Sequence, residues 1–481
     1  MEFIIIITVL LVAVIMAIIT NKRSRVIEVS SFVASSIVLI EAFAIAFKVV
    51  KLGSYGFLPF FVVDELGALL IMVVACVGLA VVIYSGQYLK LEVAKNIIGF
   101  TRFKEFFVLL NLFLLAMFVA VSSNSPIFAW ISIEATTLST AFLISFYNKP
   151  STVEAAWKYL VINSVGLLIG FMGTLLYFTA SLTDGGVGLI TWQGLLSGAA
   201  VMNPLVTKFA FILVLVGYGT KVGFFPMHTW KPDAYSKSPA PIGALFSGAL
   251  LPVAFLIILK FKVITDVVVG PEFSRYLLMS FGLLSILFSA FIMVITKNYK
   301  RLLAYSSIEN AGVMALGFGL GGLGVVAAII HLLYHSLVKA ALFLLSGNLL
   351  IKFHSAKISN VKGAIAVIPI TSILLFTGFF AITGAPPFGM FFTKLMIFSV
   401  GITTHPNFII IALLATALLF VGFFKHIISM IFGEKPSEIK KEPENFWLIF
   451  PPLLLLTVVL ILSFYQPAFL KVLINNAASH Y

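Results

Sequence analysis

Long apolar runs make up most of the chain, and short polar segments separate them. A membrane-spanning helix needs about 20 apolar residues. Fourteen runs qualify and are numbered as predicted spans in chain order: 3–20, 28–50, 65–88, 104–122, 125–147, 153–181, 204–225, 238–262, 274–296, 302–319, 324–350, 365–400, 407–431 and 446–466. Residues 53–61 combine Gly and Pro with aromatic residues, which favours a short external hairpin or re-entrant turn. The pattern predicts an all-α integral membrane protein with about 14 transmembrane helices.

Positive charge alternates between the loops and predicts the orientation of the chain. Loops after odd-numbered spans hold most of it: Lys22, Arg23, Arg25, Lys90, Lys95, Arg102, Lys104, Lys149, Lys231, Lys237, Lys297, Lys300, Arg301, Lys352, Lys357, Lys362, Lys435, Lys440 and Lys441. The opposite loops hold Lys51, Lys262 and Arg275. By the positive-inside rule the odd loops are cytoplasmic and both termini lie outside the cell membrane. The first run lacks a basic start and a cleavage site, so it is interpreted as a retained helix and not as a signal peptide.

Composition narrows the class of protein. The chain is 61% hydrophobic and only 10% charged, whereas soluble domains carry about 25% charged residues. Its net charge of +13 lies in short loops, where anionic lipid headgroups are the expected partner and nucleic acid is not. One cysteine, Cys76, cannot hold an iron–sulfur cluster or a structural zinc ion. Nucleotide-binding and catalytic motifs are also lacking, so the sequence predicts no catalytic residue, metal or cofactor in this chain.

Predicted spans seven and twelve share an unusual design. Each contains Gly and Pro breakers beside a lysine, Lys221 in the first and Lys394 in the second. Paired interrupted helices indicate an inverted-repeat transporter, although the breakers could instead only kink two packed helices. The predicted division is three N-terminal helices in 1–103, a five-helix repeat of spans four to eight in 104–262, an inverted repeat of spans nine to thirteen in 263–431, and a last helix with a short tail in 432–481.

Ionisable residues deep in these runs are the candidate site. A charged side chain at bilayer depth costs from about 3 to more than 10 kcal/mol, so such residues usually mark an ion path. The predicted proton relay consists of Glu134, Lys221, His331, His335, Lys339 and Lys394. The two histidines and Lys339 recur every four residues and share one helix face. Zinc binding by the histidine pair is the rival interpretation, but no third ligand is evident. The pattern is also compatible with a structural ion pair for Glu134 and with packing roles for the histidines.

Five further residues are possible members of the relay. Glu309 lies two turns into predicted span ten, where it would link the two halves or face a neighbouring subunit. Lys158, Lys208 and Lys260 lie near predicted helix ends, where a lysine can also reach the headgroup region. His228 follows predicted span seven in a cytoplasmic loop, as a proton-uptake group or a helix cap.

Several stretches together carry a family resemblance across predicted spans three to thirteen. They are Ile-Glu-Ala at 133–135, Phe-Pro-Met-His-Thr-Trp-Lys-Pro-Asp-Ala at 225–234, the 238–248 region, Lys-Arg-Leu-Leu-Ala-Tyr-Ser-Ser at 300–307, the row His331, His335 and Lys339, and the break at 384–394. The chain resembles the antiporter-like subunits shared by respiratory complex I, Mrp cation/proton antiporters and group 4 membrane-bound hydrogenases. Residues 154–159 and 307–310 are most similar to the hydrogenase type.

The resemblance implies a proton- or sodium-translocating subunit of a redox-driven complex. Glu134 would pair with Lys221, Lys339 and the histidines would form the central relay, and Lys394 the exit. Its partners would be other membrane subunits and, indirectly, iron–sulfur and hydrogenase-like subunits, which would hold any redox centre of an oxidoreductase complex. The alternatives are a subunit of an Mrp-type cation/proton antiporter and a structural subunit that has lost conduction.

One position departs from the family pattern. The lysine expected after Ser-Gly-x-Leu-Leu is Pro252 here. Either water or Lys260 would then bridge the path from Lys221 towards the centre, or conduction in this half would be impaired.

Overall fold

The structure, a computed structural model, is almost entirely helical over residues 1–57, 60–180, 190–435, 439–441 and 443–481, which are the residues described. Its helices are α1 (Glu2–Ile19), α2 (Ser24–Leu52), α3 (Glu65–Ala94), α4 (Phe100–Ser122), α5 (Pro126–Ile144), α6 (Pro150–Ala180), α7 (Trp192–Ser197), α8 (Pro204–Val222), α9 (Trp230–Lys237), α10 (Ala240–Leu245), α11 (Leu251–Val269), α12 (Pro271–Ile295), α13 (Tyr299–Leu320), α14 (Leu323–Phe353), α15 (Ala364–Val367), α16 (Pro369–Thr383), α17 (Gly389–Thr404), α18 (Pro406–Phe432), α19 (Phe446–Phe464) and α20 (Ala468–His480).

Helices occupy the positions of the predicted spans. Within the described ranges, 12 helical segments are long and apolar enough to cross a membrane, with α8–α9 and α10–α11 each forming one segment. The remaining predicted spans, ten and twelve, correspond to α13 and to the shorter apolar helices α16 and α17. The break predicted in span twelve is confirmed, because α16 ends at Thr383 and α17 begins at Gly389. The protein is therefore an all-helical, multi-pass membrane protein.

Two smaller features complete the architecture. The predicted hairpin forms between β1 (Tyr55–Phe57) and β2 (Phe61–Val63), which pair antiparallel with Tyr55 opposite Val63. The short tail predicted after the last span is helical: α20 buries Leu470, Leu473 and Ile474 and packs against α3.

The centre of the protein is formed by α3, α10–α11 and α14, which are enclosed on nearly all sides by other helices. The α14 helix packs against α10, α13, α16, α17 and α19. By contrast, α1 and α18 are mostly exposed and present large apolar side chains such as Ile15 and Leu414. A helix that is hydrophobic all round is stable only when buried or surrounded by lipid. The row of histidines and Lys339 therefore lies in one of the most enclosed helices among the described residues.

Glycines bring α6 and α8 into close backbone contact. A Cβ atom added to Gly217 of α8 would meet the backbone N and Cα of Gly170 and would lie 2.7 Å from the Gly166 carbonyl oxygen of α6. Gly166 itself faces the Thr220 side chain. Small residues allow helix backbones to approach closely in membranes, and here they set the position of the end of α8, which carries Lys221.

The variant Gly217→Ala is expected to destabilise the protein, because the added methyl group meets backbone atoms that cannot move aside. Overpacking of this kind typically costs about 1–3 kcal/mol. Thermal unfolding of the purified variant in detergent measures the loss. Gly99→Ala is the control, since a Cβ there meets nothing within 4 Å. Equal melting temperatures for the two variants would contradict the close α6–α8 packing.

Candidate functional site

The segment formed by α8 and α9 is broken at Gly223. This residue has φ of 85°, in the left-handed region that glycine adopts without a Cβ clash. Trp230 Nε1 donates to the Thr220 carbonyl at 2.8 Å, and Lys231 Nζ donates to the Val222 carbonyl at 2.7 Å. The last carbonyls of a helix have no partner within the helix, so side chains of α9 satisfy those at the end of α8. The break predicted in span seven is confirmed.

Lys221 lies just before this break and is buried. Its Nζ donates to Thr137 Oγ1 at 2.7 Å and to the Tyr159 hydroxyl at 2.9 Å. The Thr137 hydroxyl donates in turn to Glu134 Oε2 at 3.3 Å, and the Ser164 hydroxyl donates to Glu134 Oε1 at 2.9 Å. The expected pair of Glu134 and Lys221 is therefore brought together through a threonine hydroxyl, without a direct ion pair in the described part of the chain.

The second break holds its lysine differently. The α16 helix is followed by Gly384, which has φ of 81°. On α17, Lys394 Nζ lies 2.8 Å from Glu309 Oε1 of α13 and donates to the Thr383 carbonyl at 3.3 Å. Glu309 is only 1% exposed, so of its two predicted roles the structure favours a link between the halves over contact with a neighbouring subunit. Breaking a buried pair by removing one partner usually costs about 3–5 kcal/mol, so these two helices are strongly coupled.

A hydrogen-bonded chain continues from this ion pair to α14. Asn310 Nδ2 donates to Glu309 Oε2, and Asn310 Oδ1 lies 2.9 Å from His331 Nε2. The other ring nitrogen, His331 Nδ1, lies 2.8 Å from Thr393 Oγ1. Lys394, Glu309, Asn310 and His331 thus form one buried polar chain across α13, α14 and α17.

His335 and Lys339 continue the row along α14, but they differ in their contacts. Lys339 Nζ donates to the Leu303 carbonyl at 2.6 Å and also bonds to the Ser306 hydroxyl. His335 is fully buried, and neither ring nitrogen has a hydrogen-bond partner among the described residues. It lies about 6 Å along the helix from both His331 and Lys339. The described residues include no cluster of three or more metal-ligating side chains.

The structure does not bring the other candidate lysines to this chain. Lys158 is exposed and pairs with Glu154 at 2.6 Å. Lys208 is also exposed, with its ammonium 5.6 Å from the centre of the Phe273 ring. These two side chains are therefore outside the buried cluster.

Lys260 does not bridge the two halves. Its ammonium lies 2.9 Å from Asp64, at the start of α3. Burial disfavours the Asp64 carboxylate, but Lys260 and the Gly67 N–H outweigh that effect, so the pKa of Asp64 lies below its ordinary value. Lys260 is thus held at Asp64 and does not fill the gap left by Pro252.

His228 is not a loop residue exposed to the cytoplasm. It lies in a short 3₁₀ turn, Met227–Thr229, and is buried between two aromatic rings. The centre of its imidazole ring is 5.5 Å from the centre of the Phe225 ring and 4.4 Å from that of the Phe288 ring. Its Nδ1 atom has no partner among the described residues. Direct proton uptake from water by His228 is therefore unsupported.

Sequence reasoning misplaced three lysines that it had counted as loop charges. Lys231, Lys262 and Lys300 are all buried. Lys262 pairs with Asp266 at 2.6 Å, and Lys300 Nζ donates to the Ser238 carbonyl at 2.8 Å. The burial of Lys231 could have been inferred from its position directly after the break, between Trp230 and Pro232.

A polar cavity of about 480 Å³ opens beside Lys300. Its lining includes Glu92, to which the Tyr147 hydroxyl donates at 2.6 Å. Burial raises the pKa of Tyr147 well above its ordinary value, so this hydroxyl stays protonated. Lys300 precedes Leu303, the Lys339 contact, by one helical turn, or about 4.5 Å. One turn of α13 therefore separates the cavity lining from the backbone contact of Lys339.

Comparison with known proteins places the fold in context. The family model described as NADH:quinone oxidoreductase/Mrp antiporter, transmembrane, matches residues 123–419. A relative named hydrogenase-4 component F homolog, from Methylacidiphilum infernorum, is 34% identical over 78% of this chain and 79% of its own length. NADH-quinone oxidoreductase subunit L from Mycobacterium tuberculosis is 30% identical over 69% of this chain, which spans half of that relative.

A solved structure shares the fold over the whole chain. It comes from the membrane-bound sulfane sulfur reductase, an archaeal respiratory membrane complex, and superimposes with a TM-score of 0.86 at 24% identity, covering 100% of this chain and 96% of the other. The match to the family model covers more than half of the sequence. The chain therefore belongs to the NADH:quinone oxidoreductase/Mrp antiporter transmembrane family.

Proposed function

We propose that this chain is the ion-translocating membrane subunit of a redox-driven complex and that protons move along its buried Glu, Lys and His side chains. The observation that carries the proposal is the polar chain of Lys394, Glu309, Asn310 and His331, in which neighbouring groups lie within hydrogen-bonding distance. Intramembrane ionisable residues are costly and usually mark ion or proton paths. A purely structural subunit would need no such chain.

The arrangement of charges supports two related halves. In residues 104–262, Glu134 lies on the second long helix and Lys221 at the break of the fourth. In residues 263–431, Glu309 lies on the second long helix and Lys394 beyond the break of the fourth. We infer two inverted five-helix repeats, with α13 and the α16–α17 pair completing 14 spans.

Proton transfer fits the side chains better than sodium transfer does. The relay offers titratable nitrogens and carboxylates that are held by hydroxyl groups. Sodium would need several oxygen ligands around one point. The described residues place only one carboxylate near Lys221, that of Glu134, and one at Lys394, that of Glu309. In this proposal the cavity beside Glu92 and Lys300 is a water-filled route to Lys339.

The hydrogenase-4 relative supports a redox complex as the setting. Other membrane subunits would then flank this chain, and iron–sulfur and hydrogenase-like subunits would drive it from outside the membrane. An Mrp-type antiporter is the second candidate, because the matching family model covers both classes. Purification of the native complex separates them: iron–sulfur subunits support the first setting, whereas sodium-dependent exchange without redox partners supports the second.

Loop charge supports an orientation with both termini outside the cell membrane. Lys231, Lys262 and Lys300 are buried and no longer count, but Lys237 and Lys297 remain at the proposed cytoplasmic side. Labelling of single cysteines at Lys237 and Lys51 in intact cells tests this orientation, with labelling at Lys51 alone as the expected result.

Replacement of the relay lysines is expected to reduce ion transport. Lys221→Met, Lys339→Met and Lys394→Met each remove a proton carrier, and general acid–base groups contribute about 100-fold or more to proton transfer. Redox-driven acidification of native membrane vesicles should fall at least about tenfold in each variant.

Lys208→Met and Lys158→Met are the matched controls, because both lysines are exposed. Their transport should equal that of the wild type. Unchanged transport in all three relay variants, with normal assembly, would leave only a structural role for the chain.

The threonine between Glu134 and Lys221 provides a subtler test. Thr137→Val keeps the shape and both charges but removes the hydroxyl that links them, so vesicle transport is expected to fall several-fold. Ser139→Ala removes a hydroxyl from the same helix, where Ser139 bonds only to backbone carbonyls. Equal transport in the two variants would show that the link is dispensable.

A further inference from the structure

Lys231 is a buried lysine for which the sequence predicted no role in the relay. It is fully enclosed, and the Val222 carbonyl at the break of α8 accepts a hydrogen bond from its Nζ. A Cβ atom added to Gly223 would lie 2.6 Å from Lys231 Cδ, so the side chain passes over the glycine at the break. The ammonium is thus held where the backbone of α8 opens, and it has no carboxylate partner among the described ion pairs.

Lys231 lies close to the row of His331, His335 and Lys339 on α14. Its Nζ is 5.6 Å from the centre of the Tyr235 ring, and the centre of that ring is 5.3 Å from the centre of the Phe343 ring. Lys339 Nζ lies 6.0 Å from the centre of the same Phe343 ring. Two aromatic rings in contact therefore connect the surroundings of Lys231 with those of Lys339.

No lysine of α11 is placed to link Lys221 to the row on α14 instead of Lys231. The position where the family pattern leads one to expect a lysine is Pro252, which has no titratable group. Lys260 pairs with Asp64 and Lys262 with Asp266. Both lysines therefore form ion pairs with aspartates that lie outside α14.

His335 supplies the second, independent observation. Both of its ring nitrogens are buried without a partner among the described residues. A buried polar group without a hydrogen bond costs several kcal/mol in free energy, about 2–7 depending on the reference state. Buried polar groups without a protein partner are commonly satisfied by ordered water. The site around His335 therefore has the chemistry to bind water.

We propose that Lys231 carries protons between Lys221 and the row of His331, His335 and Lys339 on α14, with ordered water around His335 completing the route. This inference rests on the proposed function. In the transfer step, an N–H bond of the Lys231 ammonium breaks and an O–H bond of the adjacent water forms, while that water passes a proton to His335 or Lys339. Lys231 is left neutral and regains a proton from the side of Lys221.

Two substitutions separate this role from simple support of the break. Lys231→Met removes both the donor and the charge. Lys231→Arg keeps donors and charge but does not release a proton. Redox-driven transport in vesicles containing the assembled complex should fall at least about tenfold in both variants if Lys231 relays protons. Lys237→Met, a substitution of the lysine at the end of the same helix, is the control and should behave as the wild type.

Each contrary outcome overturns part of the proposal. Wild-type transport in Lys231→Arg would show that Lys231 only supports the Val222 carbonyl, and wild-type transport in Lys231→Met would show that it is dispensable. Lys221→Met and Lys394→Met are measured in parallel. Loss of transport in those two alone overturns only the role of Lys231, whereas wild-type transport in all variants overturns the proposed function itself.

A direct measurement remains decisive if both Lys231 variants fail to assemble. A high-resolution electron cryomicroscopy map of the wild-type complex should show ordered water within hydrogen-bonding distance of a His335 ring nitrogen, continuing to Lys231 Nζ and Lys339 Nζ. A dry site, with His335 packed against apolar side chains alone, would overturn the proposal.

Discussion

Backbone carbonyls opened at membrane depth must find donors inside the protein, and the structure around both breaks depends on this requirement. Lipid offers no hydrogen bonds, so an interrupted helix is tolerated only beside protein or a water-filled cavity. At the first break Trp230 and Lys231 supply the donors, and at the second Lys394 bonds to the Thr383 carbonyl. The need for donors at the breaks thus brings lysines into the interior of the protein.

The two lysine sites balance their charge in different ways. Lys394 contacts Glu309 directly, whereas Lys221 contacts Glu134 through the Thr137 hydroxyl. Coulomb attraction falls with distance and is strong at low dielectric. The direct contact therefore ties Lys394 firmly to Glu309, whereas the bridged contact holds Lys221 less tightly to Glu134.

The enclosed position of α14 makes its polar row costly unless every group is satisfied. His331 is bonded at both ring nitrogens and Lys339 has two acceptors, whereas His335 has no partner among the described residues. The least satisfied group, His335, thus lies between the two best-held ones. Under the proposed function, the junction of the two halves is the place where water has to complete the path.

The sequence by itself determined the class of protein, the positions of the helices, the two breaks and the depth of Lys221, Lys339 and Lys394. These follow from local hydrophobicity and from the backbone limits of Gly and Pro. It could not determine partners. Glu309 and Lys394 are 85 residues apart and meet only because α13 and α17 pack together. Lys231 resembled a loop charge because hydropathy averages over a segment, whereas burial depends on how α9 folds back under α8. Only the tertiary structure decided which lysines are enclosed and what each one touches.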